Sequence, residues 1–255
     1  LDKLIFGGKY MKHIKNNFLV VSDYNWLPDN LEESWVEKYS DNYLIYDRYH
    51  RFKESDKVKH QKNVGQNIYD IFDFIVTHYN NLPENIIFCR ACFLNPKDDG
   101  IVRYDKNNRR ISTGNCSEEY FLKNANNTHL TELQDFFTES WRFNGWSNKI
   151  GPNNSYLELN QNWYFASYKG KYYNDINVFF NDIYENPPHQ QYLRFSPGGN
   201  YIVPKTNILK YNINFYEKIK NILSWDVIVG EAHMIERALY TIFLCDYEIK
   251  KEFKP

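Results

Sequence analysis

The sequence predicts an α/β domain with a mostly parallel central sheet flanked by helices and an elaborated C-terminal half. Three observations carry that expectation. Short continuous apolar runs recur at residues 18–21, 43–46 and 86–89, a stripe of helical period precedes the last of them, and Gly/Pro/Asn turns break up the chain after Trp141. With 255 residues, 42% of them apolar, the chain can bury a substantial core, so disorder is not expected.

Residues 18–21 form the first strand, which ends at Ser22-Asp23-Tyr24-Asn25. Pro28 followed by Asp29, Glu32 and Glu33 reads as the acid-rich first turn of a helix, where carboxylates face unpaired N–H groups. The run at 43–46 is a second strand closed by Asp47 and Arg48, and 48–62, rich in basic residues and without apolar periodicity, is expected to be an exposed loop. Ile68, Ile71, Phe72, Ile75, Val76 and Tyr79 then fall on one face of a helix entered through 63–67 and ended by Asn80-Asn81-Leu82-Pro83. Residues 86–89 are a buried strand leading to Arg90. Alternating strands and helices of this kind build parallel sheets covered by helices.

Beyond Trp141 the pattern changes. Tyr156-Leu157-Glu158-Leu159 and Trp163-Tyr164-Phe165-Ala166 alternate with turn residues, predicting antiparallel strands or a long irregular excursion. Two more short strands, 192–195 and 200–203, flank Ser196-Pro197-Gly198-Gly199, and helices at about 215–225 and 230–245 close the chain. No repeat or low-complexity linker divides the sequence, so one domain over 18–255 is expected, with 1–17 an extension or expression remnant plus lead-in.

The 31 basic and 32 acidic side chains leave a net charge of -1, which argues against a nucleic-acid partner. No apolar run approaches the roughly 20 residues of a membrane-spanning helix. With no signal-like opening, a cytoplasmic, soluble protein is expected. Cys89, Cys92, Cys116 and Cys245 are too scattered for a disulfide framework, and Cys89-x-x-Cys92 lacks the second ligand pair of a zinc site. Triplets such as Asn126-Asn127-Thr128 match the glycosylation pattern only as an Asn-rich chain does by chance. The 22 Tyr, 18 Phe and 6 Trp have two readings: coding bias of an AT-rich genome, or a carbohydrate-handling surface on which rings pack against sugar faces. Composition leaves both open. Trp141, Trp146, Trp163, Tyr164 and Tyr168 accordingly form either an acceptor-binding wall or core.

In open α/β sheets ligands bind outside the carboxyl ends of the strands. That rule selects Asp23, Tyr24 and Asn25 after the first strand, Asp47 and Arg48 after the second, and Arg90 with Asn95, Asp98 and Asp99 after the third. Asn63 to Asn67, a helix start with free N–H groups, suit an anion such as a diphosphate. Each taken alone reads as readily as a satisfied loop polar or cap; their convergence on one edge gives them weight.

Val20-Val21-Ser22-Asp23-Tyr24-Asn25 resembles the opening strand and Tyr-Asn turn of GT-A type glycosyltransferases. With Asn63-Val64-Gly65 before the helix containing Asp70, Asn81-Leu82-Pro83-Glu84-Asn85-Ile86-Ile87-Phe88, Gly198-Gly199-Asn200-Tyr201-Ile202-Val203 and Glu236-Arg237-Ala238-Leu239-Tyr240-Thr241-Ile242-Phe243, the chain looks like an uncharacterised glycosyltransferase-like family over about residues 18 to 245. The resemblance implies a GT-A-like, Rossmann-like fold. It also implies transfer of a hexosyl or pentosyl group from a nucleotide-sugar donor to a glycan or other hydroxyl acceptor. The donor-binding half would be 18–100, using Asp23, Tyr24, Asn25, Asn63, Gly65, Asp70 and Arg90; 101–255 would form the acceptor side.

One departure stands out. Where GT-A enzymes carry Asp-x-Asp for a divalent metal, this chain has Phe88-Cys89-Arg90-Ala91-Cys92. Asp98 and Asp99 are the nearest substitutes, so dependence on manganese or magnesium stays open; Arg90, Arg194, Lys59 or Lys62 are the fixed cations that would otherwise meet the leaving diphosphate. Inverting transfer needs a carboxylate beside the acceptor hydroxyl. Glu231 and Glu236 are the candidates, with His233, Arg194 and Arg237 contacting acceptor or phosphate; the alternative is that Glu231 helps cap the last helix and Arg237 bridges to another element. Adjacent on a helix, Glu236 and Arg237 point about 100° apart and are not expected to pair. Two other functions fit less closely: a non-catalytic carbohydrate-binding protein using the aromatic-rich region, and a nucleotide-dependent enzyme of different chemistry.

Overall fold

The continuous apolar runs become the inner strands of one sheet. In the computed structural model, which describes residues 13–94, 103–104, 110–111, 116–135, 139–142, 145–251 and 253, the chain opens with β1 (Phe18–Asp23), α1 (Trp35–Tyr39), β2 (Tyr43–Asp47), β3 (Val58–His60), α2 (Gln66–His78) and β4 (Asn85–Arg90). There follow β5 (Arg103–Tyr104), β6 (Arg110–Ile111), α3 (Glu118–Asn124), β7 (Thr131–Glu132), β8 (Ser140–Arg142), β9 (Gly145–Ile150) and β10 (Tyr156–Leu159). The last elements are α4 (Ile176–Ile183), β11 (Tyr192–Arg194), β12 (Tyr201–Pro204), α5 (Lys205–Ile208), α6 (Ile213–Leu223) and α7 (Gly230–Leu244).

The α/β class is as the sequence predicts, but the six-stranded sheet, in the order β3-β2-β1-β4-β12-β7, is mixed rather than mostly parallel. The pairings β2–β3, β1–β2 and β1–β4 are parallel, whereas β12 runs antiparallel to both β4 and β7. Every residue of β12 is buried, just as in β2, so hydropathy carries no mark of its reversed direction. β8 to β11 form a separate antiparallel sheet in the order β11-β10-β9-β8.

Alternation along each strand splits the core in two. Val20, Ile86, Phe88, Tyr201 and Val203 face α2, α4, α6 and α7, while Leu19, Val21, Ile45, Ile87 and Ile202 face the side of α1 and α3.

Three local expectations are corrected. The stretch after β2 is not simply exposed loop, because it contains β3 and because the Arg48 side chain is fully buried in an ion pair with Asp70. Trp163–Ala166 is a 3-10 turn rather than a strand: Asn162 enters it with φ 49°, and its side-chain oxygen accepts hydrogen bonds from Tyr164 Oη and Ile176 N. The acid-rich segment after Pro28 forms a single 3-10 turn, Leu31–Glu33, before Ser34 caps α1 by accepting from Glu37 N.

Candidate functional site

The order β3-β2-β1-β4 means that the chain steps outward from β1 to β3 and then returns to the other side of β1. Crossovers on either side of that reversal leave a crevice at the carboxyl ends of β1 and β4. A cleft of about 480 Å³ opens there. Tyr24 and Trp26 reach it from the loop after β1, Arg90 and Cys92 from the end of β4, and Asn63, Gln66, Asn67 and Ile68 from the start of α2. The opposite wall is Glu158 of β10, Trp163 and Tyr168 of the following segment, and His233, Glu236 and Arg237 of α7.

The first wall is built by buried polar residues behind it. Asp23 accepts from Trp26 N at 2.8 Å and Leu27 N at 3.2 Å and pairs with Arg51 at 2.7 Å, folding the loop so that Tyr24 and Trp26 project. Arg48 donates to both Asp70 oxygens and to the carbonyls of Lys62, Val64 and Gln66, which fixes the entry to α2. Burial lifts the Asp70 pKa to about 6 against the pull of Arg48. Gly65 has φ 58°, and a β-carbon there would stand 2.5 Å from the Leu223 carbonyl oxygen, so this tight entry requires glycine.

Tyr24 lies beneath Arg48, the guanidinium carbon 5.0 Å from its ring centre, and its enclosed hydroxyl has no hydrogen-bond partner among the described residues. Burial raises its pKa above the ordinary tyrosine value, Arg48 opposing, so the hydroxyl keeps its proton and can donate.

The Ser196–Asn200 turn ties the walls together. Asn67 Nδ2 donates to Gly198 O at 2.8 Å, Gly198 N donates to Glu236 Oε1, and Asn200 Oδ1 accepts from Arg90 N at 3.2 Å. Gly198, at φ 86°, lets Arg90 lie against the backbone, because a β-carbon would meet Arg90 Nε at 2.8 Å.

On the second wall Arg237 is gripped from two elements. Its Nε and Nη2 bond the two oxygens of Glu158 at 2.5 and 3.1 Å, and Nη1 reaches Glu236 Oε2 and His233 O, both at 3.0 Å. The expectation that Glu236 and Arg237 would not pair is therefore corrected: the long arginine side chain, pinned at its far edge by Glu158, bridges the angle between neighbouring positions. Although burial works against the charge, Glu158 and Glu236 hold the Arg237 pKa above its ordinary value. Two carboxylates against one guanidinium leave this group one negative charge in excess. Burial keeps the His233 imidazole below its ordinary value of 6.5, with Arg237 reinforcing and Glu236 and Glu158 opposing, so it is neutral at pH 7.

No protein-family model matches this chain, and no curated protein or solved structure does either. The site stands on its own geometry.

That geometry gathers Tyr24, Asn63, Gln66, Asn67, Arg90, Trp163, Tyr168, His233, Glu236 and Arg237 into one cleft, and the other candidates among the described residues lie outside its lining. Asp23, Gly65 and Asp70 act behind the wall, and Asn25, exposed with φ 68°, is not part of the lining. Arg194 pairs with Glu132 and stacks on Tyr240, and Lys59 pairs with Asp73. Asp98 and Asp99 lie outside the described residues, as do Asn95 and the side chains of Trp141 and Trp146. Among the described residues no group of three His, Cys, Asp or Glu is placed to hold a metal ion, and Cys89, Cys92, Cys116 and Cys245 form no disulfide. No helix of the described chain is long and apolar enough to cross a membrane.

Glu231 is corrected as a candidate base. It is fully buried and outside the cleft, with Oε1 accepting from the N–H groups of Lys171 at 2.6 Å and Tyr172 at 2.7 Å. Together with Gly230 N donating to Lys169 O at 2.8 Å, it straps the Trp163–Tyr173 segment to the start of α7. Glu231→Ala strands these donors. The expected loss is about 1–3 kcal/mol of stability, read by denaturant titration, with faster hydrogen exchange at the Lys171 and Tyr172 amides.

Sequence reasoning missed Trp26, Glu158, Gly198, Val227 and Ile228. Glu158 left a usable signal: a single acid between leucines in an alternating strand requires a buried partner.

Proposed function

We propose that this protein is a GT-A-like glycosyltransferase that moves a monosaccharide from a nucleotide-sugar donor to a hydroxyl acceptor. The observation that carries the reading is the cleft at the reversal of strand order between β1 and β4, the place where open α/β sheets take nucleotides. Its volume suits a ligand of that size.

The two walls divide the work. Arg90 and the first N–H groups of α2 receive the diphosphate, since the other wall carries net negative charge. Trp26, Val227 and Ile228 give the nucleoside an apolar seat, and Trp163 offers a ring for a sugar face. Glu236 is the base. Each carboxylate oxygen has two lone-pair sites, so after bonding Gly198 N and Arg237 it can still accept the acceptor proton. As that proton moves to Glu236, the acceptor oxygen bonds the anomeric carbon, and the bond from that carbon to the phosphate oxygen breaks, its electron pair leaving with the diphosphate.

Half-exposed Trp26 and Trp163 in a cleft whose carboxylates are already engaged by Arg237 favour a second reading, a carbohydrate-binding protein without turnover. Calorimetric titration with nucleotide sugars, with and without manganese, and with free sugars separates the two. Nucleotide-sugar binding followed by release of nucleoside diphosphate in the presence of acceptor supports transfer; binding of free sugars alone overturns it in favour of the second reading.

A further inference from the structure

We propose that the acceptor is a glycan ending in an uncharged pyranose, and that this terminal sugar lies with its C–H face on the ring of Trp163. The proposal rests on reading the cleft as that of a transferase, and it adds the chemical class of the acceptor.

Trp163 is both held and accessible. Its Nε1 donates to Glu158 Oε1 at 3.2 Å, Tyr164 meets it edge to face at 6.0 Å, and the Arg237 guanidinium carbon lies 5.4 Å from its ring centre. The ring lines the cleft and is still 45% exposed, so a ligand reaches its surface directly. Covering a large apolar ring is favourable, and a flat one is covered best by a flat apolar face. A pyranose offers such a face, with its hydroxyls projecting around the rim.

The neighbours of the ring decide what else the ligand must offer. Glu158 and Glu236 also line the cleft, and their side chains are 11% and 16% exposed. Ionised carboxylates only accept hydrogen bonds, so beside Trp163 the site takes donors, and sugar hydroxyls supply them. An alkyl chain has none, and the single hydroxyl of a serine comes with no flat apolar face. The two carboxylates share one guanidinium, and the negative charge in excess turns away uronic acids and phosphorylated sugars. The place of the ring separates acceptor from donor. Glu158 bonds both Trp163 and Arg237, and Arg237 bonds Glu236, so a sugar on Trp163 lies on the wall of the base that takes the acceptor proton. Arg90 and the start of α2, which receive the diphosphate, belong to the other wall.

The full chain is assayed for release of nucleoside diphosphate from UDP-glucose, UDP-galactose and GDP-mannose. The acceptors offered are methyl β-glucoside, methyl β-galactoside and methyl α-mannoside, with methyl glucuronide, a serine-containing peptide and octanol for contrast. Binding of the same compounds is followed by saturation-transfer NMR and by the Trp163 indole N–H signal, identified by its loss in Trp163→Phe. Neutral glycosides are expected to bind through the protons of one ring face, to shift that signal and to be glycosylated; the contrasting compounds are not. Trp163→Ala should raise the glycoside KM about tenfold while donor Kd stays within about twofold. Trp163→Phe, which keeps a flat ring, should recover part of the loss. In both variants kcat at saturating acceptor should fall far less than KM rises, a split that general loosening of the wall does not produce. Turnover of the peptide, octanol or the glucuronide as good as that of neutral glycosides overturns the proposal and leaves the transferase reading standing. An unchanged glycoside KM in Trp163→Ala with melting temperature intact overturns it too, as does a matching loss of donor affinity. If Trp163→Ala does not fold, Trp163→Phe and the wild-type signal decide. Glycosides that shift the Trp163 signal while no nucleotide sugar binds uphold the sugar assignment and overturn the transferase reading. If no glycoside binds the wild type, the proposal falls.

Discussion

Arg48→Met is expected to destabilise the protein by about 3–5 kcal/mol, the usual consequence of stripping one partner from a buried ion pair. Both side chains are fully buried, and Asp70 would be left charged in the interior or obliged to keep a proton. The loss is also local, because the same guanidinium bonds the carbonyls of Lys62, Val64 and Gln66 and thereby shapes the entry to α2 that forms one cleft wall. The pH dependence has a definite sign. Burial raises Asp70 from the ordinary 3.8 to about 6, so the native state holds this proton more tightly than the unfolded chain. Its contribution to stability is full below 3.8 and fades as pH rises through about 6. Without Arg48 the proton is held to still higher pH, so the penalty of Arg48→Met should be smaller at pH 5 than at pH 8. Urea denaturation at the two pH values measures it. The double variant Arg48→Met/Asp70→Leu should recover most of the loss, because it removes the stranded charge. A single variant within about 1 kcal/mol of wild type at pH 8 would remove the ion pair from the account of what holds this wall.

The same pair shows how far the sequence could be read. The helix α2 was legible because its apolar residues repeat the helical period, and β1, β2 and β4 because each holds an unbroken apolar run. The role of Arg48 was not, because a basic residue after a strand looks the same whether it is solvated or folded inward onto a helix still to come. Likewise, the strand-end rule reached Tyr24 and Arg90, and one more step along the same loop reaches Trp26. Gln66 and Asn67 belong to the helix entry, 63–67, that its free N–H groups single out. Val227 and Ile228 left no trace: they are 42% and 48% exposed and line the cleft next to Asp226, whose carbonyl oxygen accepts from Gly65 N. The two acids of α7 looked equivalent in sequence. Glu231 and Glu236 are five positions apart and face different surroundings, and only the fold shows that the first turns to backbone N–H groups and the second to the cleft.

That difference gives the largest expected effect on activity. On the proposed transfer reaction, Glu236→Gln should lower turnover by about 10²–10⁴-fold, the range for loss of a general base, with donor affinity changed by only a few-fold. The amide is nearly the same size, and its oxygen can still accept from Gly198 N or from Arg237, but it cannot take a proton from the acceptor. Because its NH₂ would then face one of those donors, the fold must be checked alongside, by melting temperature and by donor titration. Glu158→Gln is the informative companion. It loosens the bidentate grip on Arg237, so it should weaken the alignment of Glu236 and lower turnover less than Glu236→Gln does. Glu231→Gln, which retains an oxygen for the Lys171 and Tyr172 N–H groups, should leave single-turnover chemistry close to wild type. Wild-type turnover in Glu236→Gln, with fold and donor affinity intact, would remove the base from α7. Loss of turnover in Glu231→Gln alone would move the chemistry to the strapped segment beside it.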